Sequence, residues 1–137
     1  MTTAVRADRP TVALLLSVDR IYRRRAKANQ LRRIAPKRFN PTQEAWLPIL
    51  HLRREGWQVT ALFSNTGRAH RLGREHDWVV VYYRGGDGAG QATVVTEYTG
   101  PLRGKRVVRG REAECLEHYG VPAWATPHAA TDGNGVI

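Results

Sequence analysis

The chain has 137 residues, 42% of them hydrophobic, a length that predicts one domain over residues 1–137 with a core of its own. The single cysteine excludes an internal disulfide framework, and no stretch reaches the roughly 20 apolar residues of a membrane span. Twenty-two Lys and Arg against twelve Asp and Glu give a net charge of +10, which indicates a polyanionic partner such as DNA or RNA. We therefore expect a soluble cytoplasmic protein located at the nucleoid.

The first predicted element is a helix over residues 11–31, which follows a leader, residues 1–10, expected to be flexible. Thr11 can cap this helix, and apolar side chains recur at spacings of three and four. Its second half continues into a basic arm, so that residues 20–39 hold nine cations and no acid. Cations without nearby carboxylates suit a phosphate backbone. The predicted contacts here are Arg20, Arg23, Arg24, Arg25, Lys27, Arg32, Arg33, Lys37 and Arg38.

A β-hairpin is predicted next. Residues 46–54 have the pattern of a strand, which Pro48 restricts to an edge or to the strand start. Glu55-Gly56 can form the turn, and residues 57–63 alternate apolar and polar side chains.

A polar elbow, Ser64-Asn65-Thr66, separates this hairpin from a short helix predicted over residues 66–74. Any of the three side chains can accept a hydrogen bond from the first free amides of the helix. Free amides at a helix start also favour anions, and two basic side chains follow within the first turn. The elbow therefore predicts an anion site, with Asn65, Thr66, Arg68 and His70 as nucleic-acid contacts.

The remaining pattern predicts a central strand over residues 78–83, a glycine-rich loop over 85–90, a strand over 91–98 and a short fifth strand near 105–110. A helix over 111–119 and a flexible tail, residues 121–137, complete the chain. The order α-β-β-α-β-β-β-α predicts an α+β fold, a small antiparallel sheet of four to five strands with flanking helices on one face.

Two further groups of side chains are candidates for nucleic-acid contact. Aromatic residues on the strands would stack bases where the sheet exposes them, and these are Trp57, Tyr82 and Tyr83. The last third of the chain adds the cations Arg103, Lys105, Arg106, Arg109 and Arg111.

Two other functions remain open on the residues alone. A metal-dependent nuclease or phosphoryl-handling hydrolase would need His70, Glu75, His76 and Asp77 to converge in one pocket. Their spacing matches no zinc-protease motif, and Ser64 does not lie in G-x-S-x-G, so no catalytic residue, metal ligand or cofactor is predicted. A protein-interaction module for a repair complex would instead show an exposed apolar patch without a continuous basic surface.

Several segments together resemble a known bacterial family. They are "LLLSVDRIYRRRA", "RIAPKRFNP", "WLPILH", "TALFSNTGRAHRLGREHDWVVVYY" and "TVVTEYTGPLRGKRVVRGREAEC". These segments resemble the C-terminal region of bacterial helix-hairpin-helix DNA-binding proteins associated with the family X DNA polymerase/exonuclease group. The resemblance implies work on DNA, in repair or maintenance, with a helix-hairpin-helix or other repair protein as a partner. The helix-hairpin-helix motifs and the polymerase aspartates are absent from this sequence, so the resemblance implies no site.

Overall fold

A six-stranded antiparallel sheet is the framework of the computed structural model, which describes residues 8–86, 88–122 and 124. Each strand pairs with the next in the chain, in the order β1-β2-β3-β4-β5-β6. The elements are α1 (Val12–Lys27), β1 (Arg33–Ile34), β2 (Leu47–Arg54), β3 (Trp57–Phe63), α2 (Gly67–Arg71), β4 (Val79–Gly85), β5 (Gly88–Thr96), β6 (Arg106–Val108) and α3 (Glu112–Tyr119).

The predicted α+β class and antiparallel sheet are confirmed, but the predicted strand count of four to five was too low. The additional strand is β1, two residues of the basic arm that pair with Leu47 and Pro48 at the start of β2. The observed order is thus α-β-β-β-α-β-β-β-α. A two-residue strand has no hydrophobic period that a sequence pattern could reveal.

The hairpin of β2 and β3 forms as its sequence predicts. Glu55 and Gly56 both have positive φ, 52° and 83°, as a two-residue type I′ turn requires. This turn places Arg54 opposite Trp57 and Leu50 opposite Ala61. The alternate side chains of β3 are buried and so fix which face of the sheet is the core.

The glycine-rich segment differs from the prediction, because most of it belongs to strands. Gly85 pairs with Gly88, so the connection between β4 and β5 is only two residues long. A Cβ at Gly85 would lie 2.6 Å from the ring of Trp57, and one at Gly90 would lie 2.7 Å from the hydroxyl of Tyr83. Glycine occurs at these two positions because aromatic rings pack directly against the backbone.

One face of the sheet packs against α1 and α3 to form the core. Thr11 caps α1 by accepting from the amide of Leu14 at 3.1 Å. The Tyr22 hydroxyl, fully buried, donates to the carbonyl of Pro48 and accepts from the amide of Phe63, at 2.7 and 2.9 Å. Burial raises the pKa of this hydroxyl well above its usual range.

Helix α1 ends earlier than predicted, at Lys27, because Asn29 adopts a left-handed φ of 60°. Helix α3 ends at Gly120, which has a φ of 68° as expected for a glycine cap. Residues 1–7 of the predicted leader and nearly all of the predicted tail lie outside the described residues, whereas Pro10 is buried. No helix in the described part of the chain is long and apolar enough to cross a membrane.

Candidate nucleic-acid interface

The sheet face opposite α1 carries no helix among the described residues, and we call it the open face. The strand register fixes its side chains in rows that cross the sheet. The central row is His51, Thr60, Tyr82 and Gln91, and the row beside it is Arg53, Gln58, Arg84 and Ala89. Apart from Ala89, these side chains are polar or basic, whereas the corresponding rows on the other face are apolar and packed by α1.

Tyr82 is the large exposed aromatic of the open face. It lies on the interior strand β4, yet the residue is 47% exposed. Within the described part of the chain its ring stacks on no other ring and its hydroxyl makes no hydrogen bond. The other two aromatic candidates differ: Trp57 is buried, and Tyr83 packs edge-to-face against it with ring centroids 5.5 Å apart. Of the three aromatic candidates, only Tyr82 is exposed on the open face.

Three adjoining depressions surround Tyr82, and each contains at least one cation. The largest, about 540 Å³, includes Arg68 and Arg109. A second, about 340 Å³, includes Arg84, and the third, about 450 Å³, includes Lys37 and Arg38. None of the described residues that line the three depressions is acidic. We call the three depressions together the groove, and we refer to Lys37, Arg38, Arg68, Arg84 and Arg109 as the groove cations.

The groove cations are exposed, and no carboxylate in the described part of the chain neutralises them. None of them forms an ion pair with a carboxylate among residues 8–86 and 88–122. The guanidinium of Arg68 lies 5.7 Å from the ring centre of Trp78, and that of Arg38 lies 5.6 Å from the ring centre of Phe39. Contacts with aromatic faces orient a guanidinium while leaving its charge available to a phosphate.

The sequence prediction did not include Arg84 among the candidate nucleic-acid contacts, and it did not identify the open face. The apolar run Trp78–Tyr83 suggested a strand buried on both sides, whereas Val80 and Tyr82 face the groove. Strict alternation from Tyr82 to Arg84 would have placed both on one face, but it could not show that the face lacks a covering helix.

The elbow is a capped connector that also anchors the basic arm. Thr66 is the cap of α2, because its hydroxyl accepts from the amide of Ala69 at 3.1 Å. Asn65 is not the cap: its amide nitrogen donates to the carbonyl of Arg38 at 2.9 Å, and its oxygen lies 2.7 Å from Nε2 of His70. With only five residues, α2 is too short to supply much of a helix dipole.

A ring contact strengthens this anchor. The rings of Phe39 and His70 lie 4.8 Å apart, and a Cβ at Gly67 would lie 3.3 Å from the ring of Phe39. Asn65 and His70, predicted as nucleic-acid contacts, therefore have internal partners that hold Lys37 and Arg38 beside the groove.

The cations of α1 lie on the opposite side of the molecule from Tyr82. Arg20, Arg24, Arg25 and Lys27 are exposed, and Arg23 pairs with Asp19 at 3.0 Å. Helix α3 packs beside α1 and contributes carboxylates at Glu112, Glu114 and Glu117, so this side carries mixed charge. Four other predicted contacts, Arg32, Arg33, Arg103 and Lys105, are exposed outside the residues that line the three depressions.

Two of the predicted contacts, Arg106 and Arg111, are engaged inside the protein instead. Arg106 bridges Asp19 on α1, at 2.7 Å, and Asp77 before β4, at 3.0 Å. Arg111 pairs with Glu114 at 2.7 Å, and its second terminal nitrogen donates to the carbonyl of Pro10 at 2.8 Å. This hydrogen-bonded pair raises the pKa of Arg111 and lowers that of Glu114. Neither guanidinium is available to a phosphate without breaking these contacts.

The four residues considered as a nuclease or hydrolase site, His70, Glu75, His76 and Asp77, do not form one cluster. His70 bonds to Asn65 and has Glu75 at 3.9 Å, whereas His76 packs edge-on against the rings of Trp46 and Phe63. Asp77 accepts hydrogen bonds from Thr96 and Arg106. No group of three or more His, Cys, Asp or Glu side chains able to hold a metal ion occurs among the described residues. Burial raises the pKa of the Cys115 thiol, which disfavours a nucleophilic thiolate there.

Comparisons with known protein families, with curated proteins and with solved structures found no match. The resemblance to helix-hairpin-helix DNA-binding proteins therefore stays a prediction.

Proposed function

We propose that the chain binds nucleic acid, in the first place DNA, on the open face, and that it does so mainly through the phosphate backbone. The observation that carries the proposal is the set of five groove cations around one exposed tyrosine: within the described residues, none of the five has a carboxylate partner and no carboxylate lines the same depressions. The resemblance of the elbow segment to helix-hairpin-helix proteins supports DNA repair or maintenance as the setting and such a protein as a partner.

The distribution of charge supports the open face over α1 as the main binding surface. Phosphate binding is strongest where cations lack intramolecular partners, because no ion pair must be broken first. The groove cations meet this condition, and Lys37 and Arg38 are held in place by the elbow. On the other side, the carboxylates of α3 reduce the positive potential near α1.

Binding through phosphates predicts little dependence on base sequence and a steep dependence on salt. Contacts to phosphates position a protein but carry no sequence information. Each neutralised phosphate contributes about −0.9 to the slope of log affinity against log salt on duplex DNA, and about −0.7 on single strands.

The test uses the full chain and a fluorescein-labelled DNA of about 20 nucleotides, titrated by anisotropy between roughly 50 and 200 mM salt. The decisive variant combines Arg38→Gln, Arg68→Gln and Arg109→Gln. Its matched control combines Arg20→Gln, Arg24→Gln and Lys27→Gln, which removes the same charge from the far side of the molecule. We expect the groove variant to reduce the salt slope by about 2 to 3 and the control to leave it nearly unchanged.

Comparing the two variants shows whether affinity depends on the groove cations or on the net charge of the protein alone. Equal weakening in both variants would show that the total charge, and not the groove, determines affinity. Weakening in the α1 variant alone would place the interface on the helix. Absence of binding to DNA and RNA at the lowest salt would refute nucleic-acid binding itself.

A further inference from the structure

Tyr82 lies at a position where a packed tyrosine would be expected. It occupies the middle of an interior strand, where side chains are usually covered by neighbouring elements. Its cross-strand neighbours on the open face are Thr60 and Gln91, which are too small or too flexible to cover the ring. About half of this residue's surface is therefore left in contact with water, and no ring of the described residues packs against it.

The surroundings of the ring indicate the chemistry of its ligand. Each of the three depressions contains a cation, and no carboxylate of the described residues lines any of them. Arg84 lies two residues further along the same face of β4, and Arg109 lies about two strand spacings away, roughly 10 Å. A ligand that fits this arrangement has a flat apolar ring joined to several separated negative charges. A chain of nucleotides has both.

From this arrangement we infer that the open face binds single-stranded nucleic acid, with one base stacked on the ring of Tyr82 and the flanking phosphates on the groove cations. In a duplex each base face is covered by the next base pair, so a ring on a sheet surface cannot reach it. In a single strand the base faces are free, and stacking on an aromatic side chain adds affinity with little sequence preference. This inference rests on the proposed function and adds the strandedness of its substrate.

The polar groups beside Tyr82 fit the same ligand. Thr93, with a hydroxyl, and Gln91, with an amide, line the largest depression together with Arg68 and Arg109. Such groups can bond to the edge of a base whose face lies on the tyrosine. The volume of this depression, about 540 Å³, is within the range of small-molecule sites of about 300–1,000 Å³.

The experiment measures the affinity of the full chain for an oligothymidine, an oligouridine and a duplex of equal length at one salt concentration. Tyr82→Ala should weaken binding of the single strands by about 5- to 150-fold, and Tyr82→Phe should retain most of the affinity. The matched control is Tyr98→Ala, because Tyr98 is 51% exposed and lines none of the three depressions. Its affinity should equal that of the parent. The ratio of the oligouridine to the oligothymidine affinity separates RNA from DNA.

A second measurement does not depend on any variant. Ultraviolet crosslinking of the unmodified protein to an oligonucleotide containing 5-iodouracil should yield a peptide crosslinked at Tyr82, identified by mass spectrometry.

The stacking inference and the proposed function can be refuted separately. Equal loss with Tyr82→Ala on duplex and single strand, or no loss at all, would overturn the stacking inference. In that case, continued sensitivity to the groove-cation variant would leave the proposed function standing. If neither single strand nor duplex binds, both are refuted. A crosslink on α1 without one at Tyr82 would also overturn the inference.

Discussion

Arg106 and Arg109 are only three residues apart in the sequence, yet the structure predicts opposite consequences when each is replaced. Arg106 donates to Asp19 at 2.7 and 3.2 Å, to Asp77 at 3.0 Å, to Thr96 at 3.0 Å and to the carbonyl of Val94 at 3.3 Å. Arg109 is exposed and lines the groove. We expect Arg106→Met to destabilise the fold and Arg109→Gln to weaken nucleic-acid binding without destabilising it.

The size of the first effect follows from the burial of Asp19. The Asp19 side chain is 1% exposed, so without Arg106 its charge would keep only Arg23 as a partner. Removing one partner of a buried ion pair costs about 3–5 kcal/mol. Asp77 is 24% exposed and can be hydrated, so losing its pair adds about 0–1 kcal/mol. We expect a total loss of about 3–6 kcal/mol, against about 5–15 kcal/mol for the stability of a domain.

Urea unfolding followed by far-ultraviolet circular dichroism measures this loss, with Arg109→Gln as the control within about 0.5 kcal/mol of the parent. The double variant Asp19→Asn with Arg106→Met leaves no buried charge and should be more stable than Arg106→Met alone by about 1–2 kcal/mol. The reasoning would be refuted by a loss below about 1 kcal/mol for Arg106→Met, or by strict additivity of the two single changes.

Two further changes test other parts of the fold. Tyr22→Phe removes the buried hydroxyl that accepts from the amide of Phe63, and we expect a loss of about 1–3 kcal/mol in urea unfolding; a change below about 0.5 kcal/mol would mean that water replaces the hydroxyl. Thr66→Ala removes the cap of α2 and should cost about 1 kcal/mol, whereas Asn65→Ala should leave that cap intact while releasing the carbonyl of Arg38. Equal rates of amide exchange at Ala69 in Thr66→Ala and in the parent would contradict the assignment of the cap.

The elements with a strong local signal were predicted from the sequence. Trp57, Val59, Ala61 and Phe63 alternate cleanly, and Glu55-Gly56 supplies the residues that a tight turn needs, so β3 has its predicted bounds. The glycine-rich segment was misjudged because glycine marks both flexible loops and positions where rings pack against a strand. Only the tertiary structure shows that Trp57 and Tyr83 lie over Gly85 and Gly90, so the sequence could not show that these glycines are strand positions packed by rings.

The candidate site was harder to predict, because charge in a sequence does not reveal which cations are paired. The sequence distance from Arg106 to Asp19 is 87 residues, so no local pattern indicates this pair. Helical spacing puts Arg20 and Arg24 on one side of α1, but it does not show that the other side covers the sheet and leaves Tyr82 on the far surface.

The elbow contributes both to the stability of the fold and to the position of the groove cations. Its polar residues first satisfy the backbone, since Thr66 caps α2 and the carbonyl of Arg38 is bonded by Asn65. Those same bonds fix the basic arm beside β3 and β4, where Lys37 and Arg38 form one wall of a depression that Tyr82 also lines. A flexible arm would lose conformational freedom on binding phosphate, which reduces affinity. Because the fold has already ordered the backbone of the arm at Arg38, the groove can hold positive charge at a fixed distance from the ring.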